Sequence, residues 1–186
     1  MSAGRYPRTV ENGVGDRLTF VGIRSDGAGR ELLEVENCVR PGSGPPMHVH
    51  HLQEEGLAVR EGRLGYQVPG GPERFAGPGE TVTFGPGQAH RFWNAGQEQL
   101  VCSGWVSPPN NVEYFLAELY ASSRRAGGAR PDPFDAAFLF GRYRSEFGMV
   151  GVPAPVRRVV LPLMRIAGRL LGRQRRFAGA PEPARR

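Results

Sequence analysis

Between residues 17 and 106 glycine and proline cut the chain into short runs of alternating apolar and polar residues, and this punctuation limits the possible folds more than any other feature. Strand character is found over 17–23, 31–39, 55–60, 63–68, 73–75, 81–84, 90–93 and 100–106. Turn signals such as Ser25-Asp26-Gly27-Ala28-Gly29, Pro69-Gly70-Gly71-Pro72 and Gly85-Pro86-Gly87 separate them. Many short strands joined by turns predict a barrel or a sandwich, not a parallel sheet. With 186 residues, 39% of them hydrophobic, the chain can bury one good core with appendages around it.

All four histidines fall in two segments of this stretch, His48-Val49-His50-His51 and Gly87-Gln88-Ala89-His90. Successive side chains on a strand point to opposite faces, so His48 and His50 project to one side and Val49 to the other. The same alternation turns His51 away and leaves it a surface or turn residue. Glu55 opens the run over 55–60, where a short turn can bring it beside the histidines, and His90 begins the strand after Gly85-Pro86-Gly87. Three neutral imidazoles and a carboxylate suit a divalent first-row transition metal with one or two positions left open; calcium and magnesium prefer all-oxygen shells. A lone buried histidine is ordinarily a core residue, but three on matched strand phases beside an acid form the usual metal signature.

The spacing is specific. Gly42, His48, His50, Glu55 and Gly62 stand at the intervals Gly, five residues, His-x-His, four residues, Glu, six residues, Gly; Gly79, Gly87, His90 and Asn94 follow a second pattern. In these residues the chain resembles the cupins, with one departure: Gly85 stands where that family has proline, and Pro86 follows it. The run from Pro45-Pro46-Met47-His48-Val49-His50 to Glu61-Gly62-Arg63-Leu64 is similar to the quercetinase (flavonol dioxygenase) branch of single-domain cupins. The resemblance, over about residues 17–106, implies a mainly β fold, a double-stranded β-helix (jelly-roll) barrel, assembled as a homodimer; a C-terminal helical extension follows it in the sequence. It implies that His48, His50, Glu55 and His90 bind one divalent iron, nickel, manganese or cobalt ion, zinc being admissible. It also implies that Glu55 is catalytic and accepts the proton of a substrate hydroxyl. Spacing to Gly62 selects Glu55 over Glu54, which is expected in solvent. Strand phase and position place Met47, Tyr66 and Phe92 at the wall of a largely apolar pocket suited to a flat or hydrophobic substrate. The expected function is a metal-dependent dioxygenase taking oxygen and a phenolic or enolic, flavonol- or polyketide-like molecule. The same four ligands would also serve a metal-assisted isomerase, cyclase or decarboxylase that uses no oxygen, or a cupin that only binds a small molecule.

Outside the barrel, expected over residues 17–108, the chain divides into an N-terminal arm over 1–16, a helical extension over 109–177 and a disordered tail over 178–186. After Pro108-Pro109 the period changes: Asn110 or Asn111 caps a helix with Val112, Phe115, Leu116 and Leu119 on one stripe. Asp132-Pro133 caps and opens a second helix that runs toward Gly148. A last helix starts at Pro162, since proline inside a longer one would break it. There Arg165, Arg169, Arg173 and Arg176 share one face while Leu163, Ile166 and Leu170 lie on another. The simplest arrangement packs the apolar face and solvates the arginines. The helix would alternatively touch anionic lipid or nucleic acid, cover a second subunit, or cross the pocket mouth.

The net charge of +6 is unevenly placed: residues 157–186 hold nine Arg and one Glu, for +8, and residues 1–156 hold fifteen Arg and seventeen acids, for −2. Nucleic acid is not an expected partner, because no aromatic residue interleaves with these arginines before Phe177. The chain has no lysine, which excludes a lysine nucleophile or Schiff base. Cys38 and Cys102 lack metal-ligand spacing and read as packed thiols of a reduced, cytoplasmic protein. Neither a secretory signal nor a transmembrane segment is expected, the longest apolar run being residues 159–164 with Pro162 inside it.

Overall fold

The computed structural model describes residues 6–185. The punctuated runs pair as antiparallel strands: β1 (Arg8–Glu11), β2 (Arg17–Ser25), β3 (Glu31–Val39), β4 (His48–His50), β5 (Glu54–Glu61), β6 (Leu64–Gln67), β7 (Arg74–Ala76), β8 (Thr81–Phe84), β9 (Arg91–Asn94) and β10 (Leu100–Ser107). One sheet has the order β1-β2-β3-β10-β5-β8. The other has the order β7-β6-β9 and continues through a reciprocal backbone hydrogen-bonded bridge between His48 and His90 to β4 and then β11 (Phe147–Met149). Alternation selects what faces inward: Glu55, Leu57 and Val59 of β5, Phe92 and Asn94 of β9, and Leu100, Cys102 and Val106 of β10 are all buried. Leu57, Val59, Leu64, Phe84, Phe92 and Leu100 form one core cluster, each such side chain contributing roughly 1.5–3 kcal/mol by leaving water. Outside, the Trp105 ring covers Gly56 on the neighbouring strand so closely that a Cβ there would lie 2.1 Å from it, and only glycine fits. Two antiparallel sheets closed over a common interior make the expected mainly β jelly roll.

Three helices follow, α1 (Val112–Ala126), α2 (Pro133–Arg142) and α3 (Leu161–Leu170). The apolar stripe of α1 buries Val112 and Phe115 against Phe20, Leu33, Val35 and Val106 of the barrel, with Tyr143 and Phe147 completing the cluster. Asp132 caps α2 by accepting from the backbone N–H groups of Phe134 and Asp135, and Pro133 opens the helix, as the sequence predicts.

Several expectations are corrected. The second helix stops at Arg142, and the residues leading to Gly148 form β11 on the histidine strand, with Phe147 opposite His50 and Met149 opposite His48. Asn111 precedes α1 without a side-chain cap, because its Nδ2 donates to the Glu146 carboxylate and the Glu182 carbonyl instead. The last helix does not begin at Pro162: a π-turn over Val156–Val160 runs straight into α3, and the wider turn accommodates the proline, which has no N–H to place. The helix is also inverted. Arg165 lies over Gly141 of α2, while Arg173 and Arg176, in a 3₁₀ turn after α3, pair with Asp132 at 3.0 Å and Asp135 at 3.2 Å. Two acids at the start of α2, one of them buried, hold these two guanidinium groups against α2, and Leu163, Ile166 and Leu170 are exposed.

At the ends, the expected arm contains β1, which pairs with β2 from Arg8↔Phe20 to Glu11↔Arg17; its first five residues lie outside the described residues. The expected disordered tail is anchored: Tyr143 Oη and Arg142 donate to the Pro181 carbonyl, Ser145 Oγ to the Ala184 carbonyl, and the Ala184 N–H to Glu146. A buried carboxylate gives an otherwise polar, proline-bearing segment something to bind; Arg186 lies outside the described residues. Both cysteines are buried free thiols. Among the described residues no helix is long and apolar enough to cross a membrane.

Candidate metal centre

β4 aims His48 and His50 inward from alternate positions, β5 brings Glu55, and the bridge to β4 fixes His90 at the mouth of β9. One donor atom from each of the four lies within 4.8 Å of every other. Glu55 Oε2 is the hub, at 2.9 Å from His90 Nε2, 3.4 Å from His50 Nε2 and 3.8 Å from His48 Nε2. On the far side of two rings, His48 Nδ1 lies 2.9 Å from the Pro46 carbonyl and His90 Nδ1 3.0 Å from the Gln88 carbonyl. A carbonyl only accepts, so Nδ1 carries a proton, and in the neutral ring each Nε2 turns a lone pair toward Glu55. Lone pairs and a carboxylate oxygen at these distances repel unless a proton or a metal ion sits among them. The donor set therefore fits a metal ion on its chemistry as well as its spacing.

Electrostatics agree with this arrangement. Burial pushes the His50 imidazole down to about 4, against a smaller opposing pull from Glu55, so it stays neutral and able to ligate. Burial alone would raise the Glu55 carboxyl, but in the metal-free site hydrogen bonds from His48 and His90, made when Nε2 of those rings carries a proton, and the charges of protonated His50 and His48 outweigh it and hold the group well below the usual carboxylate range. Buried His50 Nδ1 has no hydrogen-bond partner, so packing orients that ring: Phe147 meets it edge-on at 5.4 Å and itself stacks on Phe115 at 4.3 Å. Phe84 lies parallel to the His90 ring at 3.8 Å.

The remaining predicted positions divide. His51 sits half-buried in the turn after β4, its N–H donating to the Glu146 carbonyl. Glu54 faces away from the cluster and accepts from Trp105 Nε1 at 3.3 Å. Met47 adjoins His48, and its carbonyl takes the Val150 N–H. Tyr66 and Gln67 of β6 and residues 81–84 of β8 line a cavity of about 390 Å³ at the seam between the two sheets; it contains none of the four clustered residues but shares Phe84 with them. Phe92 is no part of that lining: its inward phase puts it into the barrel core with Leu64 and Leu100. Phe84, Phe147 and the fully buried Glu146 are additions. The Glu146 carboxylate accepts from Gln53 Nε2, from the backbone and side chain of Asn111 and from the Ala184 N–H, tying the loop after the histidines to the extension. Only the phase of Phe84 was readable locally; Phe147 and Glu146 arrive by long-range pairing.

Residues 36–106 match the family described as "Cupin domain". The chain is 34% identical over 113 residues to "Oxidoreductase iacF" of Pestalotiopsis fici, covering 55% of this chain and 55% of that protein. It is 34% identical over 83 residues to "Probable oxidoreductase virH" of Hypocrea virens, covering 42% of this chain and 38% of that protein. The chain thus spans about half or less of the curated relatives it matches. Among solved structures, an uncharacterized conserved protein with a double-stranded beta-helix domain from Klebsiella pneumoniae is similar over 59% of this chain and 90% of its own, at 24% identity and a TM-score of 0.46. The two spaced motifs, the barrel closed around them and the match over the same residues agree: the chain carries a cupin domain over residues 36–106.

Proposed function

We propose that this cupin is a metal-dependent dioxygenase for a phenolic or enolic small molecule, with His48, His50, Glu55 and His90 as the ligands of one divalent iron, nickel, manganese or cobalt ion. The observation that carries it is the convergence of three imidazole nitrogens on Glu55 Oε2, two of them with their protons committed to backbone carbonyls. A bound transition metal would supply Lewis acidity toward an enol or phenol oxygen and a redox-capable centre for oxygen chemistry.

The protein's own groups do the rest. The Pro46 and Gln88 carbonyls hold the His48 and His90 rings in the ligating tautomer, the kind of outer partner that orients a ligand. Glu55, ionised and placed at the hub, is the base that takes the substrate hydroxyl proton. Phe84 and Phe147 fence two of the imidazoles with apolar surface and exclude water there. The cavity beside Tyr66, about 390 Å³, falls within the roughly 300–1,000 Å³ of ordinary small-molecule pockets, and the Tyr66 and Phe84 rings, packed edge to face, give its wall aromatic surface. The oxidoreductase names of both curated relatives support redox chemistry.

Oxygen uptake by metal-loaded protein, measured against a panel of flavonols and polyketide-like phenols, tests the proposal. Oxygen should be consumed in step with substrate, and turnover should vanish in His48→Ala and His90→Ala. Conversion without oxygen would make the protein a metal-assisted isomerase, cyclase or decarboxylase. Binding without conversion that survives both substitutions would make it a binding protein.

A further inference from the structure

The segment from the π-turn at Val156–Val160 through α3 wears its apolar side outward. Val159, Leu163, Ile166 and Leu170 recur at spacings of four, three and four along one stripe and are 53%, 58%, 57% and 83% exposed, with Val160 and Leu171 beside them. A helix whose apolar stripe faces water has its partner elsewhere. The opposite side already has one: Gly168 packs on Phe134, and Arg165 crosses Gly141.

Charge identifies the partner. Residues 147–181 contain seven arginines and no acid. Arg173 and Arg176 are paired with Asp132 and Asp135, but Arg157, Arg158, Arg169 and Arg175 are exposed and form no ion pair among the described residues. A second copy docked through the stripe would add another acid-free, arginine-bearing helix to the first. A surface of anionic headgroups over hydrocarbon offers both the opposite charge and an apolar layer for the stripe. The segment is too short and too charged to span, so it would lie in the plane of the interface.

We propose that α3 and the π-turn before it are a peripheral anchor that docks this protein on anionic lipid bilayers, with Val159, Leu163, Ile166 and Leu170 entering the acyl boundary and Arg157, Arg158, Arg169 and Arg175 meeting the headgroups. The test is flotation of the full chain with phosphatidylcholine vesicles, with and without phosphatidylserine, at about 0.15 M salt. The protein should float only with phosphatidylserine present. Leu163→Gln/Ile166→Gln/Leu170→Gln and Arg158→Glu/Arg169→Glu should each weaken flotation by at least about tenfold, given what buried methylenes and anionic-lipid contacts contribute. Circular dichroism and thermal melting should show both variants folded as wild type, since every changed side chain is exposed. Failure of the wild type to float, equal flotation on phosphatidylcholine alone, or flotation unchanged in the folded triple variant would overturn the proposal. So would a solution dimer that the triple variant dissolves while no vesicle binds, which would assign the stripe to a second copy.

Discussion

The barrel and the last helix solve the same problem with opposite signs. In the barrel, alternation sends Leu57, Val59, Leu100 and Cys102 inside and sets the glycine-and-tryptophan pair Gly56 and Trp105 outside. Its buried polar cluster around Glu55 is made of groups that together suit a cation. After α3, Arg173 and Arg176 of the 3₁₀ turn are tied to Asp132 and Asp135, and Leu163, Ile166 and Leu170 of α3 are left in water. The contrast teaches that amphipathic period defines two faces but not which of them is internal. In the barrel the closing sheets decide; at α3 the packing of Gly168 and Arg165 on α2, together with the ion pairs of the following turn, decides, and the exposed stripe is left for something outside the chain.

Substitutions along this contrast should rank accordingly. Leu57→Ala, inside the barrel, should cost about 2–5 kcal/mol in chemical denaturation, the usual range for a large-to-small core change. Glu146→Ala should cost about 3 kcal/mol, because several buried donors lose their acceptor at once; a value near zero would show that the tail and the loop after β4 are not coupled through it. Acid should weaken the metal-free protein. The unfolded chain protonates its histidine near 6.5 while folded His50 resists down to about 4. Between those values the unfolded state therefore binds more protons, and stability falls with falling pH by up to about 3 kcal/mol. Glu55 acts in the same direction: its contribution is present above the usual carboxylate range and is lost as pH drops through its depressed folded value. Thermal melts of metal-free wild type and His50→Gln across this window measure the effect, and parallel curves would remove His50 as its source. The smallest change is expected in α3, where Leu163→Ala should stay within about 0.5 kcal/mol of wild type. A loss comparable to Leu57→Ala would mean that the stripe is covered within the molecule.

What the sequence disclosed follows the same division. The strands from β2 to β10 were readable because period two and glycine–proline turns are local, and the four clustered residues because a fixed motif spacing maps onto strand phase. β11 was not readable: its pairing with β4 joins residue 147 to residue 50, and nothing within either segment announces the other. Phe147 and Glu146 were missed for the same reason; for Phe92 the inward phase was readable, but phase alone does not separate wall from core. The tail was taken for disorder from its composition, yet its order comes from a carboxylate nearly forty residues away that only the folded chain presents.

Metal stoichiometry tests the central claim most directly. Wild-type protein, stripped by chelator and reloaded, should hold one divalent transition-metal ion per chain, with a higher melting temperature than the stripped form. His90→Ala and Glu55→Ala should lower affinity by more than the roughly 10–100-fold of a change in an outer partner. Wild type that takes up no metal, or variants that retain it with unchanged affinity, would contradict the account.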